Sequence, residues 1–220
     1  RRQRQMCIRD RFTMDKGLSD SVKEVFTDLY NRGLIYKDKR LVNWDPKLGT
    51  ALSDLEVNQI EKVGKMWFIK YQLENSTENI VIGTTRPETI FGDSGIAIHP
   101  KNKKLNHLIG KKALIPILNK SIPIIADEYA DPEKGSGAVK ITPAHDFNDF
   151  EIGKKHDLEF VNILDKTANL NKNTPKEYQG LNRFVARKKL ISELKKNNKI
   201  LKIVNNKMFL PVGDRSDEII

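Results

Sequence analysis

Short apolar runs follow one another from residue 34 to residue 142, and many of them are bounded by Gly, Pro, Asn or Asp. Runs of this length, separated by turn-forming residues, are typical of β-strands. So much strand in the middle of a chain predicts a barrel or a highly curved sheet. The predicted strands are 34–36, 41–44, 51–57, 65–73, 80–85, 95–99, 113–117, 122–126 and 138–142.

Helices are predicted on either side of these strands. Apolar residues at three- and four-residue intervals predict a helix over 18–30, which Ser19 or Ser21 is placed to cap. A short helix is predicted over 147–156, and a basic amphipathic helix over 183–199. The chain is therefore expected to belong to the α/β class.

Several classes of protein are excluded by composition. The longest apolar run, 113–118, is far shorter than the roughly 20 residues of a membrane-spanning helix. Residues 1–11 are charged and no apolar stretch follows them, so they do not form a secretory signal. The single cysteine, Cys7, allows no internal disulfide, which fits a reducing compartment. These features predict a cytoplasmic protein without a membrane partner.

The formal charge of +10 is concentrated in two segments. Residues 1–11 carry +4 and residues 171–207 carry +9, whereas 12–170 sum to −1. A basic segment is an electrostatic footprint for phosphate groups, although a solvated lysine-rich helix face gives the same composition. Segment 166–179, rich in Lys and Asn, is predicted to be a surface excursion.

Common catalytic and metal-binding motifs are missing from the sequence. The four histidines and one cysteine show no ligand spacing, so no metal site is predicted. The GSG at 135–137 lacks the lysine and hydroxyl residue of a phosphate loop, and no GxSxG motif marks a serine hydrolase. Two polar clusters at strand ends remain as candidate sites.

The first cluster is GTTRPET, where an apolar strand runs into hydroxyls, a guanidinium and a carboxylate. Arg86 is suited to bidentate pairing with a phosphate or carboxylate, and Thr85 and Thr89 offer both donors and acceptors. The alternative is a polar strand end in which Arg86 forms a salt bridge with Glu88 or another acid.

The second cluster is GSGAVKITPAHDFND. Lys140 and Thr142 are two residues apart on a strand and therefore share a face. Asp146 and Asp149 are three apart at a helix start, so they form either a cradle for an ammonium and a hydroxyl or only a cap for the helix. His145 is a weak candidate for a general base.

Together with LVNWDPKLGTALSDLEV and PVGDRSDEII, these clusters resemble the valyl-tRNA synthetase family of class I aminoacyl-tRNA synthetases, in order and in spacing. RFTMDKG extends the resemblance upstream. Leucyl relatives look similar around TTRP and PAHD but typically lack the lysine and threonine found here as Lys140 and Thr142, and isoleucyl relatives depart further. An editing domain of a leucyl or isoleucyl relative is the alternative within the class.

The resemblance implies a domain organisation. Residues 11–57 would be a connector from the nucleotide-binding catalytic domain, 58–207 an editing domain built as a β-barrel with flanking helices, and 208–220 the return connector. Residues 1–10 match nothing in the family and are expected to be non-native. The HxGH-like and KMSKS-like signatures are absent, so ATP and Mg²⁺ would serve only the full-length synthetase, and this segment would need no cofactor.

The resemblance also implies a reaction, the hydrolysis of threonine mischarged onto the tRNA for valine. Asp149 would hold the substrate ammonium or hydroxyl, and Asp146 would order the helix start or a water. Arg86, Thr85 and Thr89 would line the pocket and position the terminal adenosine or the water. Lys140 and Thr142 would bind the threonine side chain. The partners would be this tRNA and the rest of the synthetase.

Two other classes of function stay open. One is a non-catalytic tRNA-binding module, in which 171–207 contacts phosphates and the polar clusters are only structural. The other is a freestanding editing factor, but the chain stops inside the PVGDRSDEII motif, which favours a piece of a longer protein.

Overall fold

The computed structural model describes residues 12–220, and the chain divides into two compact units at the peptide between Arg40 and Leu41. Residues 1–10, predicted to be non-native, lie outside the described residues. The described part of the first unit, residues 12–40, holds one helix, α1 (Lys16–Asn31). Asp15 precedes this helix, whereas the predicted caps Ser19 and Ser21 lie inside it and bond backward to carbonyls of the preceding turn. The predicted capping residues were therefore wrong.

The second unit is built around one large sheet and a small hairpin. The predicted strand 34–36 does not form in the described structure. The predicted strand 51–57 is interrupted by a 3₁₀ helix, Asp54–Glu56, and the remaining predicted strands are present with shifted ends. The strands are β1 (Asn43–Asp45), β2 (Thr50–Leu52), β3 (Val57–Leu73), β4 (Asn79–Thr84), β5 (Gly95–Ile98), β6 (Lys112–Leu114), β7 (Ser121–Ala126), β8 (Ala138–Ile141) and β9 (Ile200–Gly213). The helices of this unit are α2 (Phe147–Lys155) and α3 (Arg183–Lys196).

The large sheet has the order β4-β3-β6-β7-β5-β8, and β9 pairs with β3 off this path. All pairings are antiparallel except that of β5 with β7. β4 and β8 stand at opposite ends of the path yet lie beside each other, so the sheet is strongly curled. The prediction of an α/β chain with a highly curved sheet is confirmed, and the closed barrel stays a prediction.

The core lies inside the curl and is dominated by isoleucine side chains, with leucine and aromatic residues among them. Alternation along the strands supplies it, because every second residue points to the same face. Ile82, Ile96 and Ile98 are completely buried, and α3 covers the sheet with Leu190 and Leu194. This packing brings α3 against the short 3₁₀ helix Pro87–Gly92, which carries the last three residues of the first polar cluster.

Segment 166–179 is not the surface excursion that its composition predicts. Leu170 and Tyr178 are fully buried, and the Tyr178 ring packs against Phe91 with 4.9 Å between ring centroids. Most polar residues of this segment are exposed, whereas Thr174 is buried with the few apolar side chains that anchor it. A count of lysines and asparagines does not reveal such widely spaced anchors.

β9 is the strand that the sequence did not predict. Its residues pair with β3 from Gly213 opposite Val57 to Ile200 opposite Ile69, as a long antiparallel ribbon. Residues 58–63 of β3 are all exposed, so this part of the ribbon has no buried face. Without a buried face there is no hydrophobic alternation, and the strand signal is lost.

Candidate active site

A polar pocket of about 230 Å³ opens where β4, the 3₁₀ helix Pro87–Gly92, β8 and the start of α2 meet. Both polar clusters of the sequence contribute to its wall, although they are some fifty residues apart in the chain. All seven predicted site residues line it: Thr85, Arg86, Thr89, Lys140, Thr142, Asp146 and Asp149. The wall is completed by Met66, Gly83, Thr84, Tyr129, Val139 and His145.

One wall of the pocket is a buried hydrogen-bond network centred on Asp93. Its Oδ1 accepts from Lys140 Nζ and from Thr142 Oγ1, both at 2.8 Å, and its Oδ2 accepts from the Tyr71 hydroxyl at 2.8 Å. Lys140 Nζ also donates to Thr142 Oγ1, so the two residues do share a face. Burial raises the pKa of the Asp93 carboxyl, and the three donors oppose that effect.

Asp149 lies in the first turn of α2 and is 6% exposed. Its Oδ2 accepts from the backbone N–H of Thr142 at 2.8 Å, and its Oδ1 has no recorded partner within residues 12–220. Burial raises the pKa of Asp149 to about 6, although the Thr142 N–H and the charge of Lys140 act in the opposite direction. The pocket therefore contains a carboxylate oxygen that is free to accept a hydrogen bond.

Asp146 is the N-cap of α2, which is the helix-cap role that the sequence offered as the alternative to a substrate cradle. Its side chain accepts from the backbone N–H groups of Asn148 and Asp149, at 2.9 and 3.1 Å. It is exposed at the pocket rim, in contrast to the buried Asp149. The two carboxylates thus occupy different environments and are not equivalent halves of one cradle.

The first cluster contributes Arg86 and Thr89 to the wall of the pocket. The Arg86 side chain is 40% exposed, and its Nη1 donates to the carbonyl of His145 at 3.2 Å. Its Nε lies 4.0 Å from Oε1 of Glu88, so the salt bridge of the alternative reading is long. Thr89 is buried and donates its hydroxyl to the carbonyl of Arg86 at 2.8 Å. Most of the Arg86 donors remain available to a ligand.

His145 is not arranged as a general base. Its Nε2 accepts from the backbone N–H of Ile163 at 3.0 Å. Burial, together with the positive charges of Arg86 and Lys140, lowers the pKa of His145 to about 3. The ring is therefore neutral at physiological pH and acts as a structural hydrogen-bond acceptor. This agrees with its weak candidacy as a general base.

The sequence did not identify Asp93, Tyr71 or Tyr129. Asp93 interrupts the otherwise small and apolar stretch IFGDSGIAI, and an acid in a buried segment signals a paired or functional group. Tyr71 and Tyr129 carry no such signal, because aromatic residues in strands and turns are ordinary. Only the fold brings Tyr129 to the rim of this pocket.

The described part of the chain contains neither a cluster of metal ligands nor a membrane-spanning helix. Within residues 12–220, no group of three or more His, Cys, Asp or Glu side chains is arranged to hold a metal ion. None of the helices in the same range combines the length and hydropathy needed to cross a bilayer. The pocket offers hydrogen bonds and charge, contributed by the chain's own residues.

Comparison with known proteins agrees with the motifs. A family described as tRNA synthetases class I (I, L, M and V) matches residues 7–209. The chain is similar to the valine–tRNA ligases of Legionella pneumophila (strain Paris), 53% identical over 212 residues, and of Pelagibacter ubique (strain HTCC1062), 55% identical over 212 residues. Each alignment covers 96% of this chain but only 23% and 24% of the relative, respectively, so the chain spans about a quarter of their length.

Among solved structures, one match is the crystal structure of the ternary complex of Agrobacterium radiobacter K84 agnB2 LeuRS-tRNA-LeuAMS. The TM-score is 0.49 at 19% sequence identity, and the match covers 90% of this chain and 33% of that chain.

Proposed function

The chain belongs to the class I tRNA synthetases, and we propose that it carries the editing site of a valyl-tRNA synthetase. The reaction is hydrolysis of threonine mischarged onto the tRNA for valine. The observation that carries the proposal is the pocket that joins the two polar clusters, with Lys140, Thr142 and Asp149 in its buried wall. Within this proposal, residues 58–207 form the editing domain, and 11–57 and 208–220 connect it to the rest of the synthetase.

The need for such a site follows from the limits of apolar recognition. A hydrophobic pocket rejects an isostere that adds only a hydroxyl by about a hundredfold, the standard case being valyl enzymes that meet threonine. A polar pocket discriminates in the opposite sense, because a ligand without the hydroxyl leaves buried polar groups unpaired, at a cost of about 1–3 kcal/mol for each group. Threonine is then accepted and valine is rejected.

The hydrogen-bond capacity of the pocket suits a threonine hydroxyl. Lys140 has three N–H donors, of which Asp93 and Thr142 take two. Asp149 keeps one oxygen as an acceptor. A substrate hydroxyl accepts from the remaining donor and donates to this oxygen, or Asp149 binds the substrate ammonium instead. Valine offers no group for the lysine.

The chemical step is attack of water on the ester carbonyl carbon. The bond from that carbon to the ribose oxygen breaks, and the ribose oxygen takes up one proton of the water. Threonine leaves as a carboxylate, and the second proton of the water is released to solvent. The hydroxyls of Thr89 and Thr142 already donate to the Arg86 carbonyl and to Asp93. A backbone carbonyl is not a base for Thr89, and Asp93, which accepts from Thr142, is already engaged by Lys140 and Tyr71. We therefore assign hydrolysis to positioned water without a covalent intermediate. Arg86 is placed to stabilise negative charge on the substrate.

The tRNA partner is assigned to the basic segment 171–207 as well as to the pocket. Several exposed lysines there, including Lys172, Lys188, Lys195 and Lys196, have no recorded acidic partner within residues 12–220. Uncompensated lysines of this kind bind phosphates, and such binding weakens as salt concentration rises. ATP and Mg²⁺ belong to aminoacylation by the whole protein, and no step of the proposed hydrolysis uses them.

The test is deacylation of threonyl-tRNA for valine by the chain. We expect Asp149→Ala to abolish turnover, because the substrate loses the buried carboxylate partner in the pocket wall. We expect Lys140→Ala to raise the KM for threonyl-tRNA and to weaken discrimination against valyl-tRNA. Full activity of Asp149→Ala would overturn the assignment of the site.

The second candidate function, a non-catalytic tRNA-binding module, is favoured by the unpaired lysines alone. Salt-dependent tRNA binding without release of threonine would support it against editing. The same assay with mischarged tRNA for leucine or isoleucine tests the other members of the class, and preference for either substrate would reassign the chain within it.

A further inference from the structure

We propose that Arg187 of α3 keeps Arg86 available to the substrate by occupying the carboxylate that both guanidiniums approach, Glu88. This inference rests on the proposed function, since it explains how one residue of that site is held ready. Arg187 does not line the pocket and is therefore a positioning residue.

Glu88 is the carboxylate that both arginines approach. It lies in the 3₁₀ helix Pro87–Gly92 and is 1% exposed. Arg187 pairs with it in a bidentate manner, Nε to Oε2 and Nη2 to Oε1, both at 2.6 Å. Arg86 approaches the same Oε1 with its Nε at 4.0 Å. Bidentate Arg–carboxylate pairs are stronger than single contacts, so Arg187 holds the carboxylate and Arg86 does not.

Positive charge exceeds negative charge around this carboxylate. Arg183, one turn before Arg187, donates to the carbonyl of Ile219 and lies 3.6 Å from Glu218. Burial lowers the pKa of Arg183, and the guanidiniums of Arg86 and Arg187 add to this effect while the two glutamates oppose it. Three guanidiniums thus share two carboxylates, and the one left without a close acid is Arg86.

Arg187 is itself held in place for this task. Its guanidinium carbon lies 5.3 Å from the centre of the Phe184 ring, and α3 is anchored in the core by Leu190 and Leu194. The helix therefore presents a preorganised cation to Glu88. A buried carboxylate that loses its partner carries a large cost, so it recruits the nearest cation. Here that cation is Arg86, which would turn from the pocket to Glu88.

The experiment uses the full chain and steady-state deacylation of threonyl-tRNA for valine. We expect Arg187→Met to raise KM about tenfold or more, because Arg86 is withdrawn from the substrate. Glu88→Gln alone should leave KM within about threefold of wild type, since a neutral amide does not capture Arg86. The double variant Arg187→Met/Glu88→Gln should return KM to the same range.

Recovery in the double variant separates this inference from the other roles of Arg187. If Arg187 only stabilised the fold or contacted a tRNA phosphate, removing Glu88 as well would not restore KM. Arg215→Met, which breaks the Arg215–Glu56 pair elsewhere in the unit, is the matched control and should leave KM unchanged. If Arg187→Met does not fold, Arg187→Lys tests the same point with a cation that makes no bidentate pair and should show a smaller rise in KM.

The outcomes are distinguishable. A wild-type chain without deacylation overturns the proposed function. An active wild type in which Arg187→Met leaves KM unchanged, or in which the double variant is no better than Arg187→Met, overturns this inference alone.

Discussion

Asp149 gives the most quantitative prediction, because its burial lowers the stability of the folded state. Folding raises the pKa of this carboxyl from 3.8 to about 6. Each pKa unit corresponds to about 1.4 kcal/mol, so the ionised carboxylate destabilises the folded state by about 3 kcal/mol at pH 8. Asparagine has the same shape, has no charge to bury and keeps an oxygen for the Thr142 N–H. We therefore expect Asp149→Asn to raise the free energy of unfolding by up to about 3 kcal/mol at pH 8.

The sign of the pH dependence follows from the raised pKa. Above pH 6 the wild-type carboxylate is ionised in both states, and the folded state bears the full cost. As the pH falls through 6, the folded state takes up its proton first, and the cost shrinks until it vanishes below 3.8. The gain of Asp149→Asn should therefore be largest at pH 8 and close to zero at pH 4.

Urea unfolding at pH 8, 6 and 4, followed by the fluorescence of the buried Trp67, measures this gain. Asp146→Asn is the matched control, because this exposed residue caps α2 and asparagine caps a helix equally well. The control should stay within about 0.5 kcal/mol of wild type at each pH. A gain that is absent at pH 8, or the same at pH 8 and pH 4, would refute the argument from burial.

Two further predictions concern the pH dependence of the reaction and the packing of α2. The rate of deacylation should fall as the pH drops through about 6, because a protonated Asp149 no longer accepts from the substrate ammonium; a flat rate from pH 8 to pH 5 would contradict this role. Gly153→Ala should destabilise the chain by about 1–3 kcal/mol despite the better helix propensity of alanine, since its Cβ would lie 2.7 Å from the rigid Pro143 ring. Thermal unfolding checks this, with Gly17→Ala in α1, where a Cβ meets nothing within 4 Å, as the control.

Local patterns predicted the parts of the site that depend on neighbours in the chain. The period of two placed Lys140 and Thr142 on one face, and they contact each other and Asp93. The spacing of Asp146 and Asp149 indicated the start of α2, and Asp146 caps it. Such features are set by strand and helix geometry within a few residues.

The contacts of the site that the sequence did not predict depend on the pairing of strands that are far apart in the chain. Asp93 reaches Lys140 because Gly95 of β5 pairs with Ile141 of β8, and no local pattern encodes the pairing of segments forty-six residues apart. The same limit hid the contact between Arg187 and Glu88, which are ninety-nine residues apart. The core role of Tyr178 was missed because its apolar neighbours are widely spaced among polar residues.

The ribbon of β3 and β9 has a consequence for how such a unit is acquired or lost. Val63 pairs with Lys207, so the chain leaves and returns through two adjacent backbones. Paired antiparallel residues have Cα atoms only about 4.5–5.5 Å apart, a gap that a two-residue hairpin turn bridges. The segment between Val63 and Lys207 can therefore be removed, or transferred to another protein, by breaking the chain at this one residue pair. The strand pairing on either side of the break would keep its hairpin geometry.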